Sequence, residues 1–289
     1  MNVAPTQFSQ QRQATVGIAH QPWGKWGLRV VATLYLGMMI VVPLSALVEN
    51  GFRDGVKVVW RDITNPIAFS AFRLTLLTAV MMAVVNAVMG TLTAYVLVRY
   101  QFFGNKLFNS LIDLPFAIPT LVTGVMLVVL YGPQQVLGAW LGAHGIQIIF
   151  AQPGIVLALL FVTYPFVIRS VQPVLMEIDR SQEEAAWTLG ASPWRTFREI
   201  ILPAIRPAVL TGTLLSFARA LGEFGSIVIV AGNIPRSTLT APVYIFGQIE
   251  SQNQRGATVM SLVLLVVSFV LMMFVDWIQE RSGETYGAA

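Results

Sequence analysis

Six stretches of this chain are long and apolar enough to cross a lipid bilayer, and that limits its folds more than any other feature. They run roughly over 28–48, 73–98, 107–131, 154–171, 206–232 and 257–279. A membrane-crossing helix needs about 20 mostly apolar residues. In hydrocarbon every backbone N–H and C=O must find its partner within the chain, so such segments cross as bundled helices. The expected fold is therefore all-α: a polytopic membrane protein with six transmembrane helices. Composition agrees, with 55% hydrophobic and 11% charged residues, where soluble domains carry about 25% charged residues. The fourth stretch is short and contains Pro165, which leaves its ends the least defined.

The same composition removes several chemistries. No cysteine is present, and the two histidines, His20 and His144, lie far apart. Disulfides, thiolate metal sites and histidine clusters are thus not expected. The motifs G-x-S-x-G and H-E-x-x-H are absent, and so is the phosphate loop G-x-x-x-x-G-K-[ST]. Neither intramembrane proteolysis nor ATP hydrolysis by this chain is expected. The net charge of +4 fits Lys and Arg retained on one side of a membrane better than nucleic-acid binding.

Loop charge predicts orientation. The loop 132–153 has no Lys or Arg, whereas 169–206 holds Arg169, Arg180, Arg195, Arg198 and Arg206. The turn after the second span adds Arg99 and Lys106. The positive-inside bias puts both segments, and both termini, in the cytoplasm. The loop 49–72 is a partial exception: Arg53, Lys57 and Arg61 would face outside, accompanied by Glu49, Asp54 and Asp62. Leu28 to Val48 is too long for a signal-peptide core and lacks a small-residue cleavage site, so it reads as a retained first span.

Two spans carry polar groups. Span three contains Pro115, Pro119, Asp113, Thr120, Thr123 and Gly124. Its prolines read as kinks whose freed carbonyls need partners in neighbouring helices or water, with ligand contact as the other reading. Span five contains Arg219 and Glu223, four apart on one helical face and flanked by Gly222 and Gly225. Charges at membrane depth mark transport pathways by default; an internal salt bridge that only locks helix packing is the equal alternative.

Between spans four and five lies EEAAWTLGASPWRTFREIILP, residues 183–203. Ser181 and Glu184 form an S-x-x-E capping box that predicts a helix over 182–189. Gly190 supplies a left-handed C-terminus. Ser192-Pro193 then restarts a helix that is expected to end near Ile201, before Pro203. Ala185, Ala186 and Leu189 make a small apolar face on this elbow, suited either to a groove on another protein or to packing on the membrane helices.

Glu184, Ala185, Ala186 and Gly190, then Ile200, Leu202 and Pro203 after nine intervening residues, match every position of the EAA motif. The chain thereby resembles the bacterial ABC importer permeases. Further stretches are similar to the sulfate/thiosulfate branch, in particular its T-type permease subunit: DITNP (62–66), VRYQFFGNKL (98–107), LIDLPFAIPT (111–120), VQPVLMEI (171–178) and ARALGEFGSIVIVAGNI (218–234). The resemblance covers roughly 28–280. GEFG followed by AGNIP also looks like molybdate permeases.

The resemblance implies a non-catalytic subunit of an ATP-driven oxyanion importer, whose elbow is a cytoplasmic coupling helix seated on a partner ATPase. ATP and magnesium would belong to that ATPase dimer. A second, W-type permease and a periplasmic sulfate-binding protein would complete the assembly in the bacterial inner membrane. The expected layout is a cytoplasmic tail (1–27), a first span and periplasmic loop (28–65), the transporter domain (66–279) and a second tail (280–289). Pathway candidates are Arg219, Gly222, Glu223 and Gly225, with Thr120 and Thr123 behind the prolines. A passive anion channel is the alternative class, but it would not need the elbow.

Overall fold

A computed structural model describes residues 22–287, and no strand occurs among them. The described residues divide into two compact units, with the division between residues 49 and 50. From the N-terminal side, α1 (Pro22–Leu36) passes through a π turn at Gly37–Val41 into α2 (Val42–Phe52), near whose end the division falls. The turn closes with the Val42 amide on the Gly37 carbonyl, and Pro43 follows directly. A proline has no N–H and its ring collides with the carbonyl four residues back, so one extra residue in the preceding turn relieves the helix.

The second unit is a bundle built on three long helices: α4 (Pro66–Arg99), α9 (Gln152–Glu177) and α12 (Leu202–Leu221). Asn65 caps α4 through its side-chain oxygen, which accepts from the Ile67 amide at 2.9 Å, and Pro66 takes the first helical position. At 34 residues, α4 is about 50 Å long, longer than the hydrocarbon thickness of about 30 Å. It therefore starts earlier than the expected span at 73.

Helix α9 lies between α4 and α12 and packs on both. It runs unbroken through Pro165 and Pro173, so the fourth span is longer at both ends than 154–171. Small residues permit this packing: a Cβ at Gly90 of α4 would fall 2.8 Å from Val167 Cβ, and one at Gly212 of α12 would fall 2.7 Å from Val167 Cα. Val167 is wedged between two glycines, the close approach that membrane helices favour. Polar groups tie the same three helices together. Asn86 Nδ2 donates to Thr163 Oγ1 at 2.8 Å, and Ser216 Oγ donates to the Thr163 carbonyl at 3.2 Å.

Two expected spans are not continuous. The third resolves into α5 (Asn105–Leu111), α6 (Leu114–Ala117) and α7 (Thr120–Tyr131), with a 114° bend between the 105–117 arm and α7. Ile118 is extended (ψ 125°) because the ring of Pro119 disfavours the helical region for the residue before it. The prolines therefore make a break where a kink was expected. The fifth stops at Leu221 and resumes as α13 (Gly225–Val230), which packs against α7. Among the described residues five helices are long and apolar enough to cross a membrane, or six when the bent pair counts as one span.

The remaining helices are α3 (Val56–Ile63), α8 (Val136–Ala143), α10 (Arg180–Thr188), α11 (Pro193–Thr196), α14 (Ala241–Glu250) and α15 (Gln254–Gly287). Arg255 at the start of α15 reaches Asp62 at 3.0 Å and Asp54 at 3.6 Å. Asp54 and Asp62 of the 49–72 loop are thereby engaged across the fold.

Candidate functional site

The elbow begins two residues earlier than the capping box implies. Asp179, not Ser181, caps α10: its carboxylate accepts from the Ser181 amide at 2.9 Å. That amide and the Ser181 hydroxyl hold the Asp179 carboxyl below its usual range. An aspartate two residues ahead of an open amide forms this local turn more strongly than serine, so the serine cap is displaced. Glu184 is consequently exposed and makes no hydrogen bond among the described residues.

Its neighbour does the structural work. Glu183 is buried, and its Oε1 lies 2.7 Å from Nη2 of Arg99, the last residue of α4. The two side chains are 6% and 8% exposed. The same Arg99 nitrogen donates to the Ile178 carbonyl at 3.3 Å, next to the end of α9. A buried pair of this kind fixes position strongly, because loss of either member strands the other charge.

Gly190 adopts φ +83° and closes α10. Ser192 caps α11, its Oγ accepting from the Arg195 amide at 3.3 Å. The expected stop before Pro203 does not occur. A second π turn, Phe197–Ile201, carries the helix into α12, with Leu202 N–H on the Phe197 carbonyl and Pro203 just after. Pro203 is accommodated by the device seen ahead of Pro43. Tyr95 of α4 meets Phe197 edge-on at 5.3 Å, and Trp194 stacks on Phe197 at 5.8 Å. Ile201 and Ile205 are fully buried, whereas Ile200 is half-buried and Leu202 and Pro203 are exposed.

The second helix of the elbow thus runs continuously into α12, and its first helix is pinned to the end of α4; α12 and α4 are the two helices that flank α9. The elbow's outer surface carries an apolar patch beside the exposed Glu184: Leu189 is 88% exposed, Ala185, Trp187 and Trp194 are exposed, and Ala186 is half-buried.

The pathway candidates divide. Arg219 Nη2 reaches Glu223 Oε2 at 2.9 Å. Glu223 lies beyond the last residue of α12 rather than on its face, and its Oε1 accepts from both the amide and the hydroxyl of Ser226 at 3.0 Å. The carboxylate is therefore fully engaged: it bridges the end of α12 to the first turn of α13. It is 1% exposed, while Arg219 is 38% exposed. Gly225 backs onto Thr120, where a Cβ would overlap the threonine hydroxyl, and Gly124 stacks likewise on Ser226. Thr120, Glu223 and Gly225 are brought together where the two broken spans cross. Gly222 faces open space. Thr123 is buried and lines a separate apolar cavity of about 480 Å³ between α4, α7 and α9.

A second polar cluster was not singled out from the sequence. Arg169 clasps both carboxylate oxygens of Asp113 at 2.7 and 2.6 Å and donates to Asn109 and to Gln172 Oε1. It locks the arm before the 114° bend onto α9. Because Arg169 lies at the end of an apolar run, it reads in sequence as loop charge; only the fold shows its partner.

Residues 86–283 match the family described as binding-protein-dependent transport system inner membrane component. The chain is similar to a protein named probable sulfate transport system permease protein cysT from Nephroselmis olivacea, 43% identical over 262 residues, covering 91% of both chains. It is also similar to the sulfate transport system permease protein CysT of Synechocystis, 42% identical, covering 90% of this chain and 88% of the relative. A bacterial alginate ABC transporter, in complex with alginate pentasaccharide-bound periplasmic protein, shares the fold at a TM-score of 0.75 and 18% identity, covering 90% and 94% of the two chains. This chain belongs to the binding-protein-dependent inner membrane components, the permease family of ABC importers.

Proposed function

We propose that this permease carries sulfate and thiosulfate through the bacterial inner membrane by alternating access driven by ATP. The ATP and its magnesium are bound and hydrolysed in a partner ATPase dimer that grips the elbow from the cytoplasm. A second, W-type permease completes the pathway, a periplasmic sulfate-binding protein delivers the anion, and both termini of this chain lie in the cytoplasm. The relatives named for sulfate transport support the substrate. The mechanism rests on one observation: an exposed apolar elbow fused to α12 and pinned by the buried Arg99–Glu183 pair to α4. A tilt imposed on the elbow reaches both flanks of α9 at once. Binding that favours one arrangement of these helices shifts the population towards it.

Arg219, with its head half open beside the α7–α13 crossing, is proposed to meet the dianion in passage, with Thr120, Gly222 and Gly225 shaping the constriction. Arg219→Gln transporting sulfate at the normal rate would remove that role. The overall reading is tested by uptake of radiolabelled sulfate into vesicles holding the assembled complex, at clamped membrane potential. Uptake that requires ATP and is competed by thiosulfate supports it. Uptake without ATP identifies a channel, and competition by molybdate far stronger than by thiosulfate identifies a molybdate importer.

A further inference from the structure

At the end of the bundle away from the elbow, a cavity of about 730 Å³ opens between α4, the start of α9 and the turn 231–240. Its walls are mostly Leu, Met, Val and Ile, but two arginines, Arg73 and Arg236, line it together with Ser70, Gln152 and Ser237. No Asp or Glu lines it. Neither arginine makes an ion pair or a side-chain hydrogen bond among the described residues. Both arginines are exposed residues bordering an otherwise apolar cavity without a facing carboxylate, and their charges give that space a positive potential.

The turn that presents Arg236 is built rather than loose. Arg236 has φ +63°, a left-handed conformation that a non-glycine residue holds only where its surroundings impose it. Those surroundings are present: Thr238 Oγ1 accepts from the Ile234 amide at 3.1 Å, Gln152 Nε2 donates to the Ser237 carbonyl at 3.1 Å, and the amides of Ser237, Thr238 and Leu239 all donate to the Ile234 carbonyl. Arg73 is held on α4, 26 residues and hence about 39 Å along the helix from Arg99.

We infer that this cavity is a binding site for a tetrahedral oxyanion, held between Arg73 and Arg236 before it reaches the α7–α13 crossing. A guanidinium fork matches two oxygens of sulfate as it does a carboxylate or phosphate. The inference rests on the oxyanion-importer reading for the identity of the anion as cargo. The same chemistry would also seat the phosphate of a lipid headgroup, with its chains along the apolar wall.

The test uses the assembled complex in a phosphate-free maltoside detergent. Retention of radiolabelled sulfate is measured for wild type and for Arg73→Gln, Arg236→Gln and the corresponding lysine variants, with co-purification of the ATPase as the check on folding. Neutralising either arginine is expected to weaken retention by about tenfold, and lysine is expected to restore part of it. In parallel, phenylglyoxal labelling of the unmutated complex is read by peptide mass spectrometry, and sulfate is expected to slow modification at both arginines. Arginine-dependent retention of phospholipid, with sulfate retention unchanged, assigns the site to a headgroup. Sulfate and lipid retention both indifferent to the two arginines, with no protection from phenylglyoxal, overturns the inference. That result leaves the transport reading standing if the wild-type complex still takes up sulfate with ATP; a wild-type complex with no such uptake would instead remove the reading itself.

Discussion

Nη2 of Arg99 lies 2.7 Å from Oε1 of Glu183, and both side chains are almost wholly withdrawn from solvent. This contact fastens the elbow to α4, so under the proposed coupling its loss is expected to uncouple as well as destabilise. Glu183→Gln or Arg99→Gln is expected to cost about 3–5 kcal/mol, the range for stranding one member of a buried pair. Because the contact is local, the first effect should be ATP hydrolysis by the complex that no longer depends on transported anion. The measurement is ATPase rate with and without binding protein. A Glu183→Gln complex whose hydrolysis stays tightly stimulated would show that coupling runs through α12 alone.

Glu184 stands beside it in sequence but faces outward. Glu184→Lys is expected to leave thermal stability within about 0.5 kcal/mol, as exposed substitutions usually do, while weakening co-purification of the ATPase. The two adjacent glutamates thus separate the inner and outer attachments of the elbow, and a pull-down beside a melting curve distinguishes them.

The Gly90–Val167–Gly212 sandwich makes a prediction about volume. Gly90→Ala is expected to destabilise by about 1–3 kcal/mol, the usual cost of overpacking. Val167→Ala should relieve part of that cost in the double variant, because the two changes share one contact. Additive losses in a double-mutant cycle would mean that the helices shift apart instead.

The Asp179 cap supplies a pH signature. Its carboxyl is held below the ordinary value of 3.8 by the Ser181 amide and hydroxyl. A depressed carboxyl stabilises the fold fully above its unfolded value and loses that contribution as pH falls through the folded one. Amide exchange at the start of α10, corrected for intrinsic rates, should therefore accelerate below about pH 4. Asp179→Asn also caps but does not titrate, and should remove that pH dependence. An unchanged profile would place the acid sensitivity elsewhere.

Much of this architecture is legible from apolar run length alone, because hydrocarbon leaves the backbone little choice. The elbow was legible too, since Gly190, Ser192 and Pro193 each demand a particular backbone geometry. The departures share one cause: a neighbour decided between local options. Asp179 outcompeted Ser181 for an amide, Glu183 rather than Glu184 faced the Arg99 that the fold brought across, and Pro119 broke its helix while Pro165 and Pro173 did not. The two interior prolines lie in a long helix packed on both sides, whereas Pro119 follows a short arm that meets α9 through Arg169, Tyr164 and Phe166. Arg73 and Arg236 are separated by most of the chain, and nothing in their spacing announces that they share a cavity.

The π turn at Phe197–Ile201 has an angular consequence. One extra residue in a helix advances every later side chain by about 100° around the axis. The turn therefore sets the azimuth at which α12 meets α9 relative to the azimuth at which the elbow meets its surroundings. Deleting a single residue from 197–201 would restore a regular helix and swing Gly212, Ser216 and Ala220 away from α9 while leaving the composition almost untouched. On the proposed coupling, the turn acts as a phase setter between the surface that would receive force and the surface that would deliver it.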